Sequence, residues 1–240
     1  MYEILNYIQG FPDTASLITH LGRRRTDGPF TVSFCNAHSV NLAYSNPQFR
    51  EDLLSADLLL RDGSGVKIAM RLLGLTPGAN LNGTDIIPLI LKGTPRARLG
   101  IYGTQQPWLS KSAEEFGKIH EIVAVIDGFQ PAEIYVQSIK QEKPDIVLLG
   151  MGMPKQENVA RVLSQELDYP CLIINGGAIL DFTAQRFDRA PHWMRRIGME
   201  WFFRLVNEPK RLFGRYVIGN GTFLIRLSLC ALRQQEKAIS

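Results

Sequence analysis

The chain has 240 residues, 45% of them apolar and 21% charged, enough to bury a sizeable core, so disordered and collagen-like architectures are excluded. Three cysteines, Cys35, Cys171 and Cys230, form no C-x-x-C pair, which excludes a disulfide framework or a Cys-rich zinc site and fits a reducing compartment. The formal net charge of +4 conceals an asymmetry: residues 1–182 carry 16 basic and 19 acidic side chains, residues 183–240 carry 11 and 4. That basic C-terminal part suits an anionic surface, either nucleic acid or the cytosolic leaflet of a membrane.

The first residues, MYEILNYIQGFPDT, lack the basic start and apolar run of a secretory signal, and no stretch reaches the roughly 18 apolar residues of a spanning helix. A cytoplasmic protein is expected. From Thr31 to Asn175 six short apolar runs follow one another: TVSFC, DLLL, RLGIY, EIVAV, DIVLLG and CLIIN. Each leads through a Gly, Asn or Asp cluster into a longer amphipathic stretch, which predicts βα units and a parallel sheet buried on both faces. Helices are expected at about 39–45, 48–55, 64–73, 84–92, 106–118, 131–141 and 155–167. The predicted fold is α/β, a Rossmann-like, mostly parallel sheet over residues 1–182 with helices on both faces, followed by a basic helical segment over 183–240.

In that segment Trp193, Ile197, Trp201 and Leu205 recur at intervals of four and predict one amphipathic helix over 192–207. Glu208-Pro209 predicts a break. Leu212, Phe213, Tyr216 and Val217 form a second apolar face, which Gly219-Asn220-Gly221 is expected to end. The last apolar stretch, Thr222 to Leu232, is too short to span a bilayer and long enough to lie against one.

Open α/β sheets bind ligands at the carboxyl ends of their strands, so the turns at 35–39, 61–65, 102–104, 126–130, 150–157 and 175–178 hold the candidate site residues. Asp62 ends the run DLLL before Gly63-Ser64-Gly65. A carboxylate there suits a general base, and equally a turn or helix cap before glycine. Asn36 and His38 follow the first strand, and His38 suits substrate contact or a backbone partner at a helix start. Asn82, Thr84 and Asp85 belong to N-G-T-D, where Asp85 also suits the positive end of a helix dipole. Gly63, Gly103, Gly150, Gly152, Gly176 and Gly177 let backbone amides approach a phosphate. In GMGMPKQE, Lys155, Gln156 and Glu157 crowd a first helical turn. The spacing matches neither a dinucleotide fingerprint, since Lys155 replaces the third glycine, nor a P-loop. No D-x-D pair occurs, and His20, His38, His120 and His192 show no ligand spacing, so neither a metal nor a cofactor is expected.

Taken in order, SADLLLRDGSGV, RLLG, NGTD, GMGMPKQE, NGGAILDF and RAPHWMRRIGMEWFFRLVNEPKRL resemble the WecG/TagA/CpsF family of bacterial glycosyltransferases, glycosyltransferase family 26, over about residues 30–220. The resemblance implies metal-independent, inverting transfer from a UDP-sugar to a polyprenyl-diphosphate-linked saccharide in cell-envelope polysaccharide or teichoic acid synthesis. It implies that Asp62 is the general base and that Gln156 is the polar residue of the family's P-x-Q-E motif. It also implies that a segment at about 189–220 closes the site and docks peripherally on the inner face of the membrane. Arg195, Arg204, Lys210, Arg211 and Arg215 are then candidates for diphosphate or lipid-headgroup contact, and nucleic acid is not an expected partner. The oligomeric state stays open. One departure concerns the teichoic acid branch, which carries T-x-N near the first strand end where this chain has Phe34-Cys35-Asn36. Two other classes stay open from the residues alone: another nucleotide-dependent enzyme on such a sheet, such as an oxidoreductase, and a non-catalytic membrane-docked scaffold.

Overall fold

The computed structural model describes residues 1–24 and 27–239. Arg25, Thr26 and Ser240, which fall inside the two predicted segments, lie outside the described residues. Two helices open the chain, α1 (Tyr2–Tyr7) and α2 (Thr14–Gly22); neither was expected from the sequence. Strand β1 (Pro29–Cys35) leads to α3 (Ala37–Ser45) and α4 (Pro47–Leu54), and β2 (Leu58–Arg61) to α5 (Ser64–Leu72) and α6 (Gly83–Lys92). Then β3 (Arg98–Gly103), α7 (Trp108–Gly117), β4 (Glu121–Ile126), α8 (Ala132–Glu142), β5 (Ile146–Gly150), α9 (Lys155–Glu166) and β6 (Cys171–Asn175) alternate. After the short α10 (Ile179–Thr183), the tail holds α11 (His192–Arg196), α12 (Glu200–Asn207), α13 (Pro209–Phe213) and α14 (Gly219–Ile239).

All six expected strands form, in the order β2-β1-β6-β5-β3-β4 with every pair parallel. Parallel pairing needs a crossover between strands, which puts helices on both faces and explains why the strands read as continuous apolar runs. In β5, Ile146 and Leu148 join the cluster under α2, α6, α7 and α10, and Val147 and Leu149 join the opposite one under α8 and α9. All four are buried, each contributing roughly 1.5–3 kcal/mol of transfer free energy. The sheet is thus a rigid floor whose carboxyl edge presents six turns in a row.

The tail departs from the expected pattern twice. The single helix expected over 192–207 is two, broken at Gly198, whose φ of +77° is a left-handed conformation that L side chains rarely adopt. A Cβ there would also lie 3.1 Å from the Ser64 Cβ, so the break lets the tail backbone press on the start of α5. The stop expected at Gly219-Asn220-Gly221 does not occur: a π-helical turn at Gly214–Ile218 runs directly into α14. Interior glycines cost a helix roughly 1 kcal/mol each, and tertiary contacts offset that here. Asn41 on α3 donates to the Gly219 carbonyl at 2.7 Å, Arg226 donates to Asn41 and stacks 4.2 Å from the Tyr44 ring centroid, and Phe223 and Leu227 are buried with Val40, Val66 and Met70. The apolar run Thr222–Leu232 is therefore one part of a 21-residue helix whose inner face belongs to the core. Among the described residues no helix is long and apolar enough to cross a membrane.

Candidate active site

A cavity of about 410 Å³ lies over the carboxyl edge of the sheet, lined in strand order by Asp62 after β2, Asn36 after β1, Gly176 after β6, Gly152 after β5, Thr104 after β3 and Phe129 after β4. A second cavity of about 310 Å³ opens between α5 and the tail, lined by Gly63, Ser64, Ile68, Asn82, Arg195 and Trp201 among others. Asn36, His38, Asp62, Thr84, Arg204 and Arg215 line both. Asp62 therefore stands where the two spaces meet.

Local structure fixes Asp62 firmly. Its N–H donates to the Cys35 carbonyl at 2.8 Å, extending the β1–β2 ladder by one residue. Asn36 caps α3 by accepting from the N–H groups of His38 and Ser39 at 3.0 and 3.1 Å, and its side chain also hydrogen-bonds the Asp62 carboxylate. Behind the turn, Arg61 donates to the carbonyls of Gly63, Pro77 and Gly78. Burial raises the Asp62 pKa above the ordinary carboxylate value, and the bond from Asn36 with the charges of Arg215, Arg204 and Arg61 restrains that rise. The result is a carboxylate more basic than one in water, the property a general base needs. His38 is pushed down to about 4 by burial and by Arg215, so its ring is neutral near pH 7.

Gln156 holds the two central turns together. Its Oε1 accepts from the Gly152 and Gly177 N–H groups, both at 3.1 Å, and its Nε2 donates to Glu157 Oε1 at 2.9 Å. One side-chain oxygen thus pins the turn after β5 to the turn after β6. Glu157 fixes the orientation of the Gln156 amide, and its own pKa is raised to about 7 by burial, with the Asp52 charge adding to the rise.

Arg204 on α12 and Arg215 in the π-helical turn face this floor from the tail. Among the described residues neither has a carboxylate within 4.0 Å, whereas Arg211 is held by Glu208 at 2.6 and 2.7 Å. The Arg215 Nε is buried without a hydrogen-bond partner. Two guanidiniums without a close ion-pair partner thus stand beside the cavity, near enough to the buried Asp62 to lower its pKa. Among the described residues no three His, Cys, Asp or Glu side chains gather closely enough to hold a metal ion.

Several expected contacts are committed elsewhere. The Asp85 carboxylate is taken by Asn82 at 2.7 Å, Arg189 at 2.7 Å and Arg195 at 3.5 Å. Burial alone would raise its pKa, and these partners lower it instead. Lys155 points away from both cavities: its Nζ donates to the carbonyls of Gly128 and Gln130 at 2.8 and 2.6 Å. Gly103 pairs with Gly150 beneath the floor and lines neither cavity, and Lys210 is exposed on α13.

The glycosyl transferase WecG/TagA/CpsF family profile matches residues 8–237. The chain belongs to this glycosyltransferase family. It is 27% identical over 187 residues to the N-acetylglucosaminyldiphosphoundecaprenol N-acetyl-beta-D-mannosaminyltransferase of Bacillus subtilis (strain 168), covering 75% of this chain and 72% of the relative. Proteins of the same name from Bacillus spizizenii (strain ATCC 23059 / NRRL B-14472 / W23) and Staphylococcus aureus (strain MW2) are 27% and 26% identical over 209 residues, with 83% and 81% of this chain and 80% and 78% of the relatives covered.

As a member of the WecG/TagA/CpsF family the chain presents an aromatic wall at the end of β1. Phe34 is buried on the floor of the larger cavity. A Cβ on Gly83 would meet the Phe34 ring at 3.3 Å, so glycine at 83 makes room for the ring. The same floor includes residues that sequence patterns did not single out. Thr104 adopts a φ of +42°, strained for threonine, and its hydroxyl donates to Asp181 Oδ1 at 2.5 Å. Asp181 also accepts from Arg186 at 3.1 Å. Thr104 ends a turn that the glycine spacing does mark; Asp181 carries no such signal.

Proposed function

We propose that this glycosyltransferase moves a hexose from a UDP-sugar in the larger cavity to a polyprenyl-diphosphate-linked saccharide in the smaller one, with inversion and without a metal, in cell-envelope polysaccharide synthesis. The observation that carries the reading is the place of Asp62, at the junction of two cavities with Arg204 and Arg215 lining both beside it. In the step, Asp62 takes the proton of an acceptor hydroxyl as its oxygen bonds to the anomeric carbon. The bond from that carbon to the UDP oxygen breaks on the opposite face, and its electrons leave with UDP. Arg204 and Arg215 meet the developing charge, a role a metal clamp serves in other enzymes. A diphosphate-lipid acceptor agrees with the names of the relatives.

The tail supports the membrane side of the proposal. Ile197, Phe202 and Val206 on α11–α12 and Leu224, Ile225 and Leu229 on α14 are exposed among its arginines, a composition that favours an anionic bilayer over nucleic acid. The deciding experiment incubates the protein with a panel of UDP-sugars and a polyprenyl-diphosphate N-acetylglucosamine acceptor, following lipid product by mass spectrometry with and without EDTA. One UDP-sugar is expected to extend the lipid by one hexose, with or without chelator. No product with any donor would overturn the reading, and loss of product in EDTA would overturn its metal-independent part.

A further inference from the structure

The smaller cavity holds a second carboxylate. Glu200, in the first turn of α12, lines that cavity and not the larger one, whereas Asp62 lines both. Glu200 and Arg204 stand four residues apart, so one face of the helix sends both toward the space beside Asp62. Among the described residues the only ion pair of Glu200 is with Arg189 at 3.7 Å, longer than a hydrogen bond. Arg189 gives its close contact, 2.7 Å, to Asp85 instead. Burial raises the Glu200 pKa, Arg189 and Arg204 restrain the rise, and Asp62 and Asp85 add to it. A carboxylate drawn this far from water has lone pairs that a ligand hydroxyl would satisfy. The rest of the lining divides by chemistry. Asn80 turns its Oδ1 to the Gly63 N–H at 2.9 Å and to Arg61 at 3.3 Å, and among the described residues its amide hydrogens have no protein acceptor. Ile68, Trp201, Phe223 and Leu224 supply an apolar side. A few polar groups beside an apolar wall are the lining that holds a saccharide in one orientation.

We infer that Glu200 orients the acceptor sugar by accepting a hydrogen bond from a hydroxyl that does not react, a reading that rests on placing the acceptor in this cavity. The reaction itself creates the need. A hexose bears several hydroxyls of similar acidity, and Asp62 takes the proton of whichever one is turned toward it. With that contact alone the ring is free to rotate about a single point. A second fixed polar contact removes the freedom and selects one hydroxyl. Glu200 is suited to this because its helix begins at the Gly198 break, where the tail backbone is pressed on Ser64, another residue of the same lining. No proton changes hands at Glu200. Of the two carboxylates only Asp62 reaches the larger cavity as well, so only Asp62 faces both the acceptor and the donor. Glu200 is then a specificity-determining residue, and it fixes which linkage is made.

The test compares the full-length wild type with Glu200→Ala, using a UDP-sugar and polyprenyl-diphosphate N-acetylglucosamine, intact or lacking one sugar hydroxyl at a time. With the intact acceptor, Glu200→Ala is expected to lower kcat/KM about 10- to 150-fold through the acceptor KM, the cost of one hydrogen bond to a charged group. Of the deoxy acceptors that still react, one is expected to serve both proteins equally, because its bond to Glu200 is already gone. UDP affinity, measured by calorimetry, is expected to stay at the wild-type level, which also reports an intact fold. Glu200→Gln keeps an oxygen without the charge and is expected to fall between. Equal losses in Glu200→Ala for every acceptor would overturn the inference, because Glu200 would then be holding the tail through Arg189. A loss confined to kcat would overturn it by making Glu200 part of proton transfer. Unchanged kinetics with the intact acceptor would overturn it while leaving the donor and acceptor assignments in place. A wild type that extends no acceptor would remove the acceptor assignment and the inference together.

Discussion

Arg189 donates to the Asp85 carboxylate at 2.7 Å, joining the start of the basic tail to α6 across 104 residues of chain. Arg195 reaches the same carboxylate at 3.5 Å, and Arg189 also lies 3.7 Å from Glu200. One half-exposed acid therefore holds two arginines that would otherwise repel each other. Pairs of this kind contribute up to about 1 kcal/mol each. Asp85→Asn is expected to lower the melting temperature by about 2–4 °C and to speed tryptic cleavage after Arg195 and Arg196. Unchanged proteolysis at those two bonds would show that the tail is held by other contacts alone.

Asp62, the proposed base, makes a sharper prediction in rate than in stability. Asp62→Asn is expected to cut turnover by about 10²–10⁴ with UDP affinity nearly unchanged. Because burial raises the Asp62 pKa and Arg215 is among the groups that lower it, the acid limb of the wild-type pH–rate profile lies above the ordinary carboxylate range. Arg215→Met removes a neighbouring positive charge, so that limb moves to still higher pH. A limb that stays in place, measured at saturating donor, would mean that the titrating group is not Asp62.

Glu157 links pH to stability. Its folded pKa is raised to about 7 from 4.5, so folding favours the protonated form. The stability this supplies is complete below about pH 4.5 and is lost as pH rises through about 7. The loss is on the order of 3 kcal/mol. Glu157→Gln cannot ionise, so the wild type is expected to fall relative to it by on the order of 10 °C in melting temperature between about pH 5 and pH 8. Parallel melting curves for the two proteins across that range would refute the assignment.

Membrane docking calls for point variants, because truncating the tail would also uncover the core contacts of Phe223 and Leu227. Ile225→Glu with Leu229→Glu changes only the outer face of α14, where both residues are exposed. The double variant is expected to leave anionic vesicles in a sedimentation assay while keeping its circular dichroism. Wild-type binding should weaken as salt rises. Binding that ignores both the substitutions and the salt would place the contact on another surface.

The sheet was legible because strands buried on both faces need nearly every residue apolar, and runs such as IVLLG and CLIIN have few other uses. The six strand-end turns were legible for the same reason, and with them the place of Asp62. Less could be read where distant groups decide a local outcome. Trp193 to Leu205 has the period of one helix, and a left-handed stop at Gly198, with the Met199 N–H bonded back to the Met194 carbonyl, breaks it. Gly219 and Gly221 look like a stop, and contacts such as that of Asn41, 178 residues from Gly219, with the buried Phe223 and Leu227, carry the helix through. Lys155 has the position of a phosphate ligand, and its true partners lie on a turn 25 to 27 residues earlier. Phe129 sits in a turn the sequence marked, yet its exposure is a property of the folded chain.

The arginines that face Asp62 come from beyond every strand. Asp62 and Asn36 belong to the first half of the sheet, while Arg204 and Arg215 follow β6 by roughly 30 to 40 residues. A chain emerging from the ribosome can assemble the sheet, which folds as a unit from its N-terminal side, before either guanidinium is available. On the proposed reading such a chain holds Asp62 and the cavity floor before the two guanidiniums that would meet a leaving diphosphate, so transfer waits for the tail.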